Sequence, residues 1–288
     1  MAHTRNAERF TASVAEHGEG PVWLVESGQL ACVDMLAGDI LTIDDEGKLV
    51  ERRHVGAVAA AFRPRVGGGF VIAVERGFAL LSPDGELTAL PELWNDPTVR
   101  MNDGTCDTEG RMLCGTMAYD AAAGRGSLHR LELDGSTTTV LDGLTISNGI
   151  AFSPDGATAV FVDSMTQQLR RYRMPADGGR WNEYDVIVEI DPSLGTPDGL
   201  CLDVEGGIWV ALWAGSAVHR YNAEGALTDV VTLPVDQVTA CALGGSDGCT
   251  LFITTSALGL DRRREPDAGA IFTARVSVAG EPVLMSRR

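Results

Sequence analysis

Six times along this chain a short apolar run ends in a tight turn, at Gly28, Gly69, Gly110, Gly156, Gly206 and Gly248, spaced 41 to 50 residues apart. A repeat of that length running through the whole sequence restricts the fold more than any other feature, because it calls for one supersecondary unit copied around or along a single array. In four frames a polar residue opens the run. These are Glu19 in HGEGPVWLVESG, Asn102 in RMNDGTCDTEGR, Asn148 in TISNGIAFSPDG and Asp198 in TPDGLCLDVEGG. The other two frames, VAAAFRPRVGGG and VTACALGGSDG, carry small apolar residues in its place. Asparagine and aspartate are poor strand residues, so their return at one point of the frame needs a reason.

After each of these turns comes a second strand-like segment: QLACVDM, FVIAVE, RMLCGTM, AVFVDSM, GIWVALW and TLFITTS. A third segment then leads to another glycine, at Gly47, Gly85, Gly135, Gly178, Gly225 and Gly280. No amphipathic helical period intervenes, and the segments have the length and flanking turns of strands. Six units of about four strands predict an all-β, six-bladed β-propeller with a central channel. A sandwich or a barrel leaves the two interleaved turn series unexplained. Fourth, outer strands are weakest in the sequence; EYDVIVEI and LTDVVTL are the best two. The chain, 1–288, reads as a single domain, with the N-terminal ERFTASVAE expected to lend an outer strand to the last blade and close the ring.

Composition narrows the partners. A net charge of −17 removes the basic stripe that a nucleic-acid surface requires. The N-terminus lacks the apolar core of a secretion signal, and no stretch is long and apolar enough to cross a bilayer, so a cytoplasmic protein is expected. The six cysteines lie mostly in strand segments without metal-type spacing and read as reduced core residues. Cys106 and Cys114, which flank one hairpin turn, are the one pair whose bridging is worth checking.

In a propeller the first strand of every blade lines the channel. Glu19, Asn102, Asn148 and Asp198 therefore converge from separate blades near one mouth. Carboxylates gathered out of water repel one another unless a cation neutralises them. Oxygen-only donors suit a hard divalent ion. The competing reading makes each Asx-Gly pair a turn former at the start of a strand, but Glu19 falls in register and glutamate is no special turn former. The following glycine reads as room for the backbone to pass close to a bound ion or substrate.

Four blocks, GEGPVW, RMNDG with its following GTM, ISNGIAFSPDG and PDGLCLD, together resemble the signature blocks of the regucalcin/gluconolactonase family, also called senescence marker protein and including luciferin-regenerating-type proteins. The resemblance spans about Glu16 to Ser256. It implies a six-bladed propeller with one catalytic divalent metal, calcium or zinc, with magnesium or manganese as further candidates. It assigns Glu19, Asn148 and Asp198 as metal ligands and Arg100 with Asn102 as the substrate-contacting pair. Beyond GTM some animal members carry an acidic pair that touches the sugar; here the text is Ala118-Tyr119-Asp120. Asp120 and Met117 join the substrate-contacting candidates.

The activity implied is hydrolysis of a small-molecule lactone, an internal ester, to its hydroxy acid. Asp198 is the candidate general base as well as a ligand; a ligand-only role is the alternative. Arg100 would orient the substrate, or else be an ordinary surface arginine. Neither a G-x-S-x-G elbow nor a catalytic cysteine–histidine context is present, which speaks against covalent catalysis. Further residues expected at the same mouth are Asp34, Glu75, Asp163, Ser164 and Trp213, from the ends of second strands. His17 reads as structural, and His129 and His219 as blade architecture. Two other functions stay open: a related propeller hydrolase acting on a phosphotriester or another ester, and a non-catalytic calcium-binding propeller.

Overall fold

A computed structural model describes residues 2–288. Its strands form six sheets, and no α-helix is present among the described residues, only three short 3-10 turns. The inner strands are Gly18–Leu24, Ala59–Pro64, Val99–Cys106, Ser147–Phe152, Thr196–Leu202 and Val238–Gly244, opening blades 1 to 6 in order. Each packs against the inner strand of the next blade, and the sixth against the first, so the ring is closed. The protein is a six-bladed β-propeller, as the repeat predicts.

Alternation within the second strands explains how the blades stack. In Gln29–Asp34, Ala31 and Val33 enter the core shared with blade 2, whereas Leu30 and Cys32 enter the core shared with blade 6. In Ile208–Trp213, Ile208, Val210 and Leu212 face blade 4, and Trp209 and Ala211 face blade 6. A strand buried on both faces needs apolar residues at every position, which is why QLACV and IWVAL read as unbroken runs.

The first turn series is as expected: all six glycines have positive φ, between 66° and 81°. In the second series Gly280 departs, having no left-handed conformation. An α-hydrogen there lets the chain lie against Leu243, whose Cβ is 2.4 Å from where a Cβ of residue 280 would stand. Blade 6 needs no hairpin at that point because its outer strand comes from the other end of the chain. Glu8–Arg9 pairs antiparallel with Phe272–Arg275, and Phe10 and Thr11 both donate backbone N–H groups to Ile271 O.

The N-terminus does more than the sequence suggests. His3–Asn6 runs parallel to Leu227–Thr232 as a fifth strand of blade 5. Arg5 joins the two blades, donating to Asp229 of blade 5 at 2.7 Å and to the carbonyl of Arg275 of blade 6 at 2.6 Å. At the other end of the chain, Ser286 exchanges backbone hydrogen bonds with Pro64 and Val66, and Arg287 donates to Gly110 O.

Glycines in the inner strands set how closely blades approach. A Cβ on Gly199 would stand 2.5 Å from Ala240 Cβ and 3.0 Å from Thr239 O in the next blade. One on Gly149 would stand 2.6 Å from Asp198 O. Gly149 and Gly199 thus make room for a neighbouring blade and not for an ion or substrate, whereas a Cβ on Gly20 would meet nothing within 4 Å. We predict that Gly199→Ala lowers stability by about 1–3 kcal/mol through overpacking. Urea denaturation measures this, and an unchanged midpoint would mean that the two strands part freely.

Candidate active site

All six inner strands lose register with their partners at the same level. The breaks fall between Glu19 and Val22, Ala59 and Ala61, Met101 and Gly104, Ser147 and Ile150, Pro197 and Leu200, and Val238 and Ala240. A bulge of this kind bends the strand and redirects the side chain of the unpaired residue. Asn102, Asn148 and Asp198 each occupy the first unpaired place, and Glu19 directly precedes its bulge. In blades 2 and 6 the single extra residues are Ala60 and Thr239. The Thr239 hydroxyl is spent on Gly18 O and Thr254 Oγ1.

A chain of hydrogen bonds fixes the amides. Arg100 donates to Asn102 Oδ1 at 2.7 Å and to Met101 O at 2.9 Å. Asn102 Nδ2 donates to Asn148 Oδ1 at 3.0 Å and to Ser147 O at 2.9 Å. Asn148 Nδ2 donates to Ser164 Oγ at 2.8 Å, and that hydroxyl donates to Pro197 O at 2.7 Å, one residue before Asp198. Because a guanidinium can only donate, it sets the direction of every later bond. The second lone pair of Asn148 Oδ1 remains free for another partner.

The carboxylates are less well served. Glu19, Asp198 and Asp103 are all buried. Glu19 Oε2 accepts from the N–H of Gly20 at 2.8 Å, and Asp198 Oδ1 is buried with no hydrogen-bond partner. Burial, then the neighbouring charge of Asp103, pushes the Glu19 carboxyl up to about 8. Burial, then Glu19 and Asp103, holds Asp198 well above the ordinary carboxylate range. Asp103, absent from the sequence-derived set, is raised mainly by burial, with Arg63 opposing. It is the second unpaired residue of its bulge, and the only signal for it in the sequence is its place inside RMNDG.

Other expected residues divide. Asp34 and Asp163 clamp backbone. Asp34 Oδ1 accepts the backbone N–H groups of Glu16 and His17, at 3.1 and 3.0 Å. Asp163 accepts those of Thr145 and Ile146 in the same way, at 3.1 and 3.0 Å. Each clamps the segment that leads to a site residue, Glu19 or Asn148. Asp120 is exposed and accepts from Ala122 N–H within its own turn, so the structure does not bring it into the buried cluster. Tyr119, also exposed, lies at the edge of the cluster: its ring is 5.6 Å from the Arg100 guanidinium, and its hydroxyl donates to Glu75 at 2.8 Å. Met117 is buried on the strand that pairs with Arg100. His17 meets Ser256 Oγ at 2.8 Å and the Trp213 ring edge at 6.0 Å, and burial lowers it to about 4, so it is neutral. His129 stacks on Trp94, and His219 meets the Tyr221 hydroxyl, both away from this cluster.

Among the described residues no three His, Cys, Asp or Glu side chains group to hold an ion by themselves. A cation here would need an amide oxygen beside two carboxylates. Glu19, Asp198 and Asn148 would supply such a set, and the unpartnered Asp198 oxygen with two carboxyls raised by burial fits a missing positive charge.

The fold and cluster define a six-bladed propeller whose channel mouth holds buried carboxylates and oriented amides. The chain belongs to the SMP-30/gluconolactonase/LRE-like family, which matches residues 17–257. It is 33% identical to a regucalcin of Xenopus laevis over 266 residues, 88% of this chain and 89% of that one. It is also 33% identical to a pentonolactonase of Haloferax volcanii over 276 residues, 93% and 94% of the two chains. A solved structure of regucalcin from Agrobacterium tumefaciens, described as a calcium-binding protein, superposes with a TM-score of 0.91 at 28% identity, covering all of both chains. No helix among the described residues is long and apolar enough to cross a membrane.

The electrostatics make a prediction for protein stripped of metal by a chelator. Glu19 titrates higher when folded than its ordinary value of 4.5, so the folded state holds the extra proton between the two values. Its stability contribution is full below about pH 4.5 and is lost as pH rises through about 8. Thermal midpoints should fall across that window, and Glu19→Gln should flatten the fall and melt higher than the native chain at its alkaline end. Parallel curves for the two proteins would show that Glu19 is solvated.

Proposed function

We propose that this protein hydrolyses a sugar-derived lactone, a small gluconolactone- or pentonolactone-like ester, to its hydroxy acid with the help of one divalent cation. The observation that carries this reading is a pair of buried polar atoms without partners in one cluster: Arg100 Nε, a donor, and Asp198 Oδ1, an acceptor. A buried polar atom left unpaired costs roughly 1–3 kcal/mol, and a lactone oxygen and a water would satisfy both. The family's lactonase members point the same way.

Glu19, Asn148 and Asp198 would hold the cation, which supplies, when bound, positive charge for the carbonyl oxygen or for the attacking water. Calcium, zinc, magnesium and manganese all accept such a mixed carboxylate–amide shell. Arg100 and Asn102 orient the lactone. Arg100 is itself fixed by Met101 O, Asn102 and the Tyr119 ring, so its free Nε points without loss of side-chain freedom. Asp198 accepts the proton of the attacking water. The same carboxyl then returns it to the ring oxygen as the acyl–oxygen bond breaks. With the cation beside it the Asp198 carboxyl would be ionised and able to take that proton. The raised lip of Tyr119 and Glu75 and the exposed Asp120 would meet the sugar hydroxyls, with Met117 packed behind.

A panel of γ- and δ-lactones, with a phosphotriester as control, assayed with and without chelator, tests the proposal. Turnover should vanish on stripping and return with added divalent ion, and Asp198→Asn should lower kcat/KM by about 10²–10⁴-fold. Lactone turnover indifferent to both treatments overturns the mechanism, and preference for the phosphotriester replaces the substrate class.

A further inference from the structure

The far end of the channel carries chemistry that the hydrolytic reading leaves unused. Downstream parts of the inner strands, with Val283 and Leu284 of the C-terminal segment, enclose a cavity of about 290 Å³. Two of its wall residues are cysteines, Cys201 of blade 5 and Cys241 of blade 6. Their sulfurs lie 3.9 Å apart, although the residues are 40 positions apart in sequence. The approach follows from Gly199, whose missing side chain lets these two inner strands close on each other.

All six cysteines are free thiols. Cys32 is buried, and Cys106 and Cys114, the pair suggested by the sequence, direct their sulfurs to Met112 Sδ and Gly115 O instead. Cys241 is buried and also directs its sulfur to Trp209 O at 3.4 Å, while Cys201 is partly exposed. One thiol is therefore reachable through the cavity, and the other waits in van der Waals contact behind it.

We propose that Cys201 and Cys241 form a peroxide-oxidisable dithiol that closes into a disulfide between blades 5 and 6. The Cys201 sulfur attacks one oxygen of hydrogen peroxide, the O–O bond breaks, and Cys201 sulfenic acid and one water result. The Cys241 sulfur then attacks the sulfenic sulfur. The S–O bond breaks, and the departing hydroxyl leaves with the Cys241 proton as a second water. Two thiols lose two electrons and two protons in total, and one peroxide becomes two waters. A bond of about 2.05 Å asks the two sulfurs to close from 3.9 Å. Burial pushes the Cys241 thiol well up, which keeps it protonated and leaves the first oxidation to Cys201.

The test treats the native full-length protein with hydrogen peroxide, alkylates free thiols and maps peptides without reduction. A Cys201–Cys241 linked peptide that disappears on adding dithiothreitol is expected, with Cys32, Cys106 and Cys114 still alkylatable after unfolding. The oxidised native protein should melt higher than the reduced one, since the cross-link restricts the unfolded chain. Oxidised Cys241→Ser should show no such rise and should trap Cys201 as a sulfenic or higher acid. Both cysteines alkylated after peroxide, or Cys201 over-oxidised in the native protein while Cys241 stays free, overturns the proposal. The peptide map needs no variant, so a poorly folding Cys241→Ser leaves the answer intact.

Discussion

Around the ring, the innermost strand of every blade carries more residues than the partner strand can match, and the surplus falls at one level. A regular ladder would send alternate side chains into the faces between blades, where there is room only for apolar groups. The bulge frees a residue from that alternation and lets it face the axis. Glu19, Asn102, Asn148 and Asp198 all stand at this break, and so do Ala60 and Thr239, which carry no free polar group. The scaffold thus offers six places, and the sequence arms four of them.

What arms them is held by two kinds of bracing with opposite electrostatic character. The amides are locked by a one-way chain of donors that starts at a permanent cation, Arg100, and ends at a backbone carbonyl. Asp34 and Asp163 lock the approach segments by taking up backbone N–H groups that no ladder reaches. The inner carboxylates are less well served: Glu19 takes a single N–H, from Gly20, and one oxygen of Asp198 takes none. Burial and their mutual proximity raise both carboxyls. The proposed cation would supply the positive charge that this arrangement lacks.

The repeat made the architecture legible, because two glycine series at blade spacing admit few alternatives and because doubly buried strands read as unbroken apolar runs. Outer strands such as Leu87–Ala89, exposed throughout, carry no burial signal and were correspondingly faint. The parallel addition of His3–Asn6 to blade 5 was invisible, since an edge strand with three of four residues exposed or charged leaves no hydrophobic pattern. Within the site, residue types and frame positions picked out Glu19, Asn148 and Asp198. The sequence does not separate an aspartate that joins the cluster from one that clamps backbone ahead of it, as Asp34 and Asp163 do. Tyr119 carries no signal in the sequence, because its contact with the Arg100 guanidinium joins two segments whose register only the fold reveals.

The path of the chain ends has a kinetic meaning. The N-terminal segment is pinned across blades 5 and 6, while the C-terminal residues return to blades 2 and 3. Both contacts join residues far apart in sequence, and closing contacts of such long separation slows folding. Once seated, the tails act as opposed latches. Blades 2, 3, 5 and 6 cannot swing out without releasing one of them.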